Sequence, residues 1–207
     1  VSNEPQKICL AFAVLLSALC ARAAEPTHCR YTYSVWNVRA KASQDRRTVA
    51  KPYAELTAQE KGPLGCTPCE EDQADVKLSN GLEFRACRLV SGKIRDALEA
   101  ALTRGQKIVS VVGYRAQMSK GPADKAGNRT ELSNHAFGAA VDVNEDSNGL
   151  YNDCFSWSPR CILGKGGRYR PGSELSLTED SPVVQEMRKV GYAWGGKIAG
   201  LQKDIMH

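Results

Sequence analysis

ELSNHAFGAAVDV, residues 131–143, holds His135 and Asp142 seven positions apart with Gly138 between them. On a straight helix the pair would share a face but lie roughly 10 Å apart along the axis. On a straight strand they would point to opposite faces, separated by roughly 23 Å. Neither geometry lets both reach one ion with bonds of about 2 Å. A functional pair therefore requires a turn, and Gly138 is the residue able to take the dihedrals a turn needs. Beyond the turn, residues 139–144 read as a short strand, with Val141 and Val143 on one face and Ala140 and Asp142 on the other. The aspartate is expected on a rigid element with its carboxylate off the packed side.

Working outward, KIVSVVGYR (107–115) reads as a buried strand ending at Arg115. Before it, Val90, Ile94, Leu98 and Leu102 recur every fourth residue, which predicts an amphipathic helix over 89–104 stopped by Gly105. DVKLSNGLEFRAC (75–87) reads as a hairpin with Asn80-Gly81 as its turn. RYTYSVWNV (30–38) alternates like a strand, whereas residues 42–65 are polar and irregular. Residues 145–180 form a loop longer than a connection needs, expected as a wall or lid for a substrate. Ser181-Pro182 opens a second helix in cap-then-proline order, closing near Gly191. Without regular strand–helix alternation, the expected class is α+β: a small antiparallel sheet flanked by helices and stabilised by disulfides.

The chain has 207 residues, 42% hydrophobic and 25% charged, enough for a buried core. Lys7, the apolar run ICLAFAVLLSALC and then ARAA have the order of a secretory signal, expected over residues 1–23. The run is short for a membrane span, so no stable anchor is expected after cleavage. The chain begins with Val1 rather than Met. Cys29, Cys66, Cys69, Cys87, Cys154 and Cys161 remain beyond the signal, an even set that suits up to three disulfides in an exported protein. Cys154 and Cys161 share one polar loop and are expected to pair. Cys66-Thr-Pro-Cys69 also has redox and zinc readings, but its flanks suit neither. The net charge of +5 reads as solvated surface spread along the chain, and no basic-aromatic motif argues for nucleic acid.

KDIMH (203–207) supplies a second imidazole. His135, Asp142 and His207 would make three nitrogen and oxygen ligands with an open fourth position, the arrangement of a catalytic rather than a structural zinc. Asp204 would then stand as a carboxylate that is not a ligand. Each piece alone has a plainer reading: a polar contact for His135, a turn cap for Asp142, a surface ion pair for Asp204, a strand-end arginine for Arg115. His28, the remaining histidine, reads as incidental.

GYR (113–115), LSNHAFGAAVDVN (132–144), GYAWGG (191–196) and KDIMH together resemble the D-alanyl-D-alanine carboxypeptidase and L-alanyl-D-glutamate endopeptidase family of zinc peptidases. Ser133, His135, Gly138, Ala140 and Asp142 follow its Ser-x-His-x-x-Gly-x-Ala-x-Asp pattern, and the resemblance covers about residues 88–207. It implies that His135, Asp142 and His207 hold zinc, that Asp204 is the general base, and that Arg115 binds the substrate carbonyl. Ser133 would sit in the substrate cleft or support the site. The family usually continues past its last histidine, whereas this sequence stops at His207, so lower zinc occupancy than in an extended version is expected. The expected whole is a secreted or periplasmic monomer acting on peptidoglycan peptides, with residues 24–87 as a cysteine-containing extension and 88–207 as the catalytic domain. Its rivals are a non-catalytic wall-binding module and an exported thiol-disulfide protein.

Overall fold

A computed structural model describes residues 26–207, and the expected signal segment 1–23 lies outside the described residues. The alternating stretch near the start forms β1 (His28–Asn37). It folds back on β2 (Ala42–Pro52), antiparallel to it with a bulge between Tyr33 and Val35. This corrects the irregular reading of 42–65, of which only 53–65 is built from short 3-10 turns. Nearly all of β2 is exposed, so neither face carries the apolar period by which a strand is recognised. Backbone pairing with β1 makes it a strand. Cys29 and Tyr31 of β1 bury against Leu56 and Cys69, and a Cys29–Cys69 disulfide closes that small layer.

The expected hairpin is present as β3 (Gln73–Lys77) and β4 (Glu83–Cys87), with Gly81 at a φ of 88° in the turn. A Cys66–Cys87 disulfide ties it to the preceding turns. Cys66 and Cys69 therefore pair with different partners, which removes the redox and zinc readings of that motif. The expected helix follows as α1 (Ser91–Thr103), burying Ile94, Ala97, Leu98 and Ala101 on one face.

The strand expected over 107–115 shrinks to β5 (Val111–Val112), and Val109 is half exposed. Its neighbouring backbone groups bond the Asn144 side chain instead of a sheet partner. β6 (Gln117–Ala123) and β7 (Arg129–Leu132) follow, then β8 (Asp142–Val143), which pairs with β5. The long 145–180 segment contains β9 (Leu150–Asn152) and β10 (Ile162–Lys165), and is clipped by the expected Cys154–Cys161 disulfide. α2 (Pro182–Lys189) packs on α1, where Arg104 reaches Glu186 at 2.5 Å. β11 (Lys203–Asp204) is the last strand among the described residues.

The class is α+β, but among the described residues four small sheets replace the single antiparallel one expected: β2-β1-β6-β7, β10-β9-β11, β3-β4 and β5-β8. The β1–β6 pair is parallel, a long-range pairing that local pattern does not reveal. The main core collects Ile94, Leu98, Val143, Leu177, Val183 and Ile205 from elements scattered along the chain. That packing brings the last five residues against β8 and β9.

Candidate metal centre

His135 sits on one 3-10 turn, Asn134–Phe137. Ser133 caps it, its hydroxyl accepting from the Ala136 amide at 3.3 Å. Gly138 ends it at a φ of 62°, a left-handed conformation that favours glycine. A Cβ there would also run into the Gln73 side-chain oxygen and the Cys87 amide. The expected reversal is thus real, and β8 returns Asp142 to the imidazole, with Nε2 to Oδ1 at 3.0 Å.

The other ring nitrogen, Nδ1, lies 2.8 Å from the Gly113 carbonyl oxygen. A carbonyl only accepts, so Nδ1 carries a proton. Nε2 is thereby turned toward the Asp142 carboxylate, so that the two side chains offer donors to the same point. Gly113 is itself close-packed, since a Cβ there would meet the Arg85 carbonyl. Holding one imidazole nitrogen by a backbone carbonyl is how proteins orient a metal-ligating histidine.

His207 arrives from the far end of the sequence. β11 pairs with β9, Ile205 donates to the Gly149 carbonyl at 3.1 Å, and Val143 donates to the Met206 carbonyl at 2.9 Å. The Trp194 indole donates to the Ile205 carbonyl at 2.8 Å, and the Gly195 amide to the His207 carbonyl at 2.6 Å. The two imidazole centroids come within 5.2 Å. One donor atom from each of His135, Asp142 and His207 lies within 4.8 Å of the others. Two nitrogens and one oxygen at that spacing suit zinc, and three protein donors are the number found at catalytic rather than structural zinc.

The electrostatics favour the same reading. Burial pushes the Asp142 carboxyl up, but the His135 hydrogen bond and the charges of His135, His207 and Arg115 outweigh it and hold its pKa at about 2. Burial first, then His135, lowers His207 to about 4, so it is a neutral ring at physiological pH, as a metal ligand must be. Asp204 goes the other way: burial and the Asp142 charge push it up to about 7. Its Oδ1 is buried and has no hydrogen-bond partner. A divalent cation beside the two acids relieves that repulsion.

Arg115 joins the group through its backbone, whose amide donates to the His135 carbonyl at 3.0 Å. Its guanidinium lies 3.3 Å from Asp142 Oδ2, while Nε is buried and unpartnered. The structure therefore draws His135, Asp142, His207, Asp204, Arg115 and Ser133 to one corner, with Ser133 acting on the turn rather than facing outward. His28 stays apart, its ring 3.0 Å from the Thr27 hydroxyl.

Three positioning groups went unassigned in the sequence reading: the Gly113 carbonyl, the Trp194-Gly195 pair and Asn144. Asn144 is buried at a φ of 53°, accepting from Val109 and donating to Lys107 and Leu175. All three lie inside the quoted motifs, Gly113 in GYR, Trp194-Gly195 in GYAWGG and Asn144 at the end of LSNHAFGAAVDVN. Asn144 carried a signal of its own, since asparagine tolerates the left-handed conformation better than most residues.

Residues 126–207 match the model of a family described as D-alanyl-D-alanine carboxypeptidase. The match spans His135, Asp142, Asp204 and His207, and bears out the resemblance seen in the motifs; Arg115 lies outside the matched span. No curated protein and no solved structure matches the chain.

Proposed function

On the match of residues 126–207 to the D-alanyl-D-alanine carboxypeptidase family model, we propose that this chain is a secreted, zinc-dependent peptidase that hydrolyses peptide bonds in peptidoglycan stem peptides. The observation that carries the reading is the meeting of three metal donors with a buried, partnerless carboxylate oxygen on Asp204. A purely structural ion site needs no such group. The three disulfides agree with an oxidising compartment. Among the described residues no helix is long and apolar enough to cross a membrane.

His135, Asp142 and His207 would hold the ion. When bound, zinc supplies Lewis acidity, polarising a carbonyl and making water a competent nucleophile near neutral pH. Asp204 accepts the water proton and returns it to the leaving amine, for which a carboxylate oxygen with no other hydrogen-bond partner is free. Arg115, half buried beside Asp142, offers positive charge to the oxygen on which negative charge develops. Ser133 and Gly138 hold the turn on which His135 rides, and the Gly113 carbonyl fixes its ring. Residues 26–87 brace this corner from the β1–β6 side, and the protein acts as a monomer.

Incubation of purified protein with defined muropeptides tests the proposal. Product masses should show loss of a terminal D-alanine or scission at the L-alanyl-D-glutamate bond, ending on chelation and returning with zinc. Intact muropeptides after prolonged incubation with the zinc-loaded protein would leave the non-catalytic wall-binding reading in its place.

A further inference from the structure

The β1–β2 ribbon carries Arg30, Arg39, Lys41, Arg46, Arg47 and Lys51 against one acid, Asp45. Its net charge of +5 equals that of the entire chain, so the remaining residues balance. The charge is not spread along the sequence, as its reading supposed, but concentrated on one element. Arg30, Arg39, Lys41, Arg46 and Arg47 are exposed. Asp45 pairs with Arg47 and Glu60 with Lys51; Arg30, Arg39, Lys41 and Arg46 have no ion-pair partner among the described residues.

The ribbon is also rigid and well placed. At about 3.3 Å per residue it is about 30 Å long. Its tip is latched to the β6–β7 connection: Val38 donates to the Gly127 carbonyl at 2.8 Å, and Asn37 bonds Asn128 and Ala126. Its inner strand pairs with β6, which runs on from Arg115 and pairs with β7, the strand leading into Ser133 and His135. The free cations therefore belong to the same sheet that walls the candidate centre. Charges on an edge strand commonly block aggregation, but blocking works with either sign and needs one or two residues. It does not account for a single sign gathered here.

We propose that this ribbon is a docking strip for the peptidoglycan polymer itself, its cations pairing with the free carboxylates that recur on the stem peptides. The inference rests on the peptidase reading for the choice of polyanion. Arginine, which supplies most of the cations, matches carboxylate geometry with paired N–H donors. A strip of exposed charges works by summed, salt-sensitive attraction, holding an insoluble substrate while the centre acts on one peptide.

Cosedimentation of the zinc-loaded full chain with insoluble peptidoglycan, stripped of phosphate-bearing polymers, tests this. Binding should fall as salt rises. It should drop about tenfold in the triple variant Arg39→Ser/Lys41→Ser/Arg46→Ser, and vanish when the wall carboxylates are amidated. Hydrolysis of a small soluble muropeptide should be unchanged in that variant. Binding that persists on amidated wall, ignores salt, survives in a folded triple variant, or requires the phosphate-bearing polymers overturns the proposal. The wild-type salt series and amidated wall decide the matter even if the triple variant fails to fold. A wild-type protein that binds the wall as described but cuts no muropeptide refutes the peptidase reading alone.

Discussion

The ribbon of β1 and β2 and the corner holding His135, Asp142 and His207 are built on opposite plans. The ribbon is long, with β2 exposed along most of its length, and is held by its own backbone ladder and by Cys29–Cys69. The corner is made of pieces only two residues long, β5, β8 and β11, each too short to stand alone. It is held by single backbone bonds between distant segments and by the buried amides of Asn144 and Asn148. Regular structure in this protein supplies reach and surface. Irregular structure supplies convergence, because only sharp changes of direction bring His135, Asp142 seven positions on and His207 at the far end to one point.

That contrast predicts separable failures. The largest belongs to the corner: Asp204→Ala should retain zinc but lose hydrolysis by roughly a hundredfold or more, whereas His135→Ala should lose both. Metal analysis beside muropeptide turnover checks this, and undiminished turnover in the Asp204 variant would remove its role as base. Next comes Cys29→Ser/Cys69→Ser, which opens a loop with a sequence separation of 40. It should cost about 2–4 kcal/mol in denaturant unfolding, yet leave zinc stoichiometry intact; loss of zinc would show that the two regions are one unit.

Asn144→Ala sharpens the comparison from the other side. It strands the Val109 amide and the Lys107 carbonyl, and should cost about 1–3 kcal/mol while weakening zinc binding, since Asn144 fixes the segment that ends at Gly113 and Arg115. Unchanged zinc affinity would show that the corner does not depend on that brace. The last effect is confined to acid pH and lies beside the ribbon, at Glu60 on the turn Ala58–Glu60. Glu60 is buried, which raises its pKa, but hydrogen bonds from Lys51, Tyr31 and Thr57 outweigh burial and bring it from 4.5 to about 2. A carboxyl depressed on folding stabilises the protein above its unfolded value and loses that contribution as pH falls through the folded one. Wild type should therefore lose stability between about pH 4.5 and pH 2 more steeply than Glu60→Gln. Parallel curves in a melting series across that range would dismiss the linkage.

The sequence disclosed those parts of the fold that leave a periodic trace. Ile94 and Leu98 recur at helical spacing because one face of α1 is buried, and Asn80-Gly81 marks its own turn. β2 left no trace, since a strand exposed on both faces has no apolar alternation. The apolar run at 107–115 misled in the other direction: its composition suits a buried strand, but its backbone bonds go to a side chain. Cys66 and Cys69 looked like a unit because they are neighbours in sequence, and only the folded chain shows them facing different partners. In the centre, residue types and motif order pointed to the donors, and Gly138 announced the turn. What joins His207 to them is long-range backbone pairing, which no local pattern encodes. The charge on the ribbon was legible all along, in a count taken by segment rather than over the whole chain.

Equilibrium dialysis of metal-stripped protein against zinc puts the central claim to its most direct test. The convergence of the three donors predicts one tightly held zinc per chain, lost in His207→Ala as fully as in His135→Ala. Zinc bound equally well without the His207 imidazole would mean that the two ends of this domain do not share an ion.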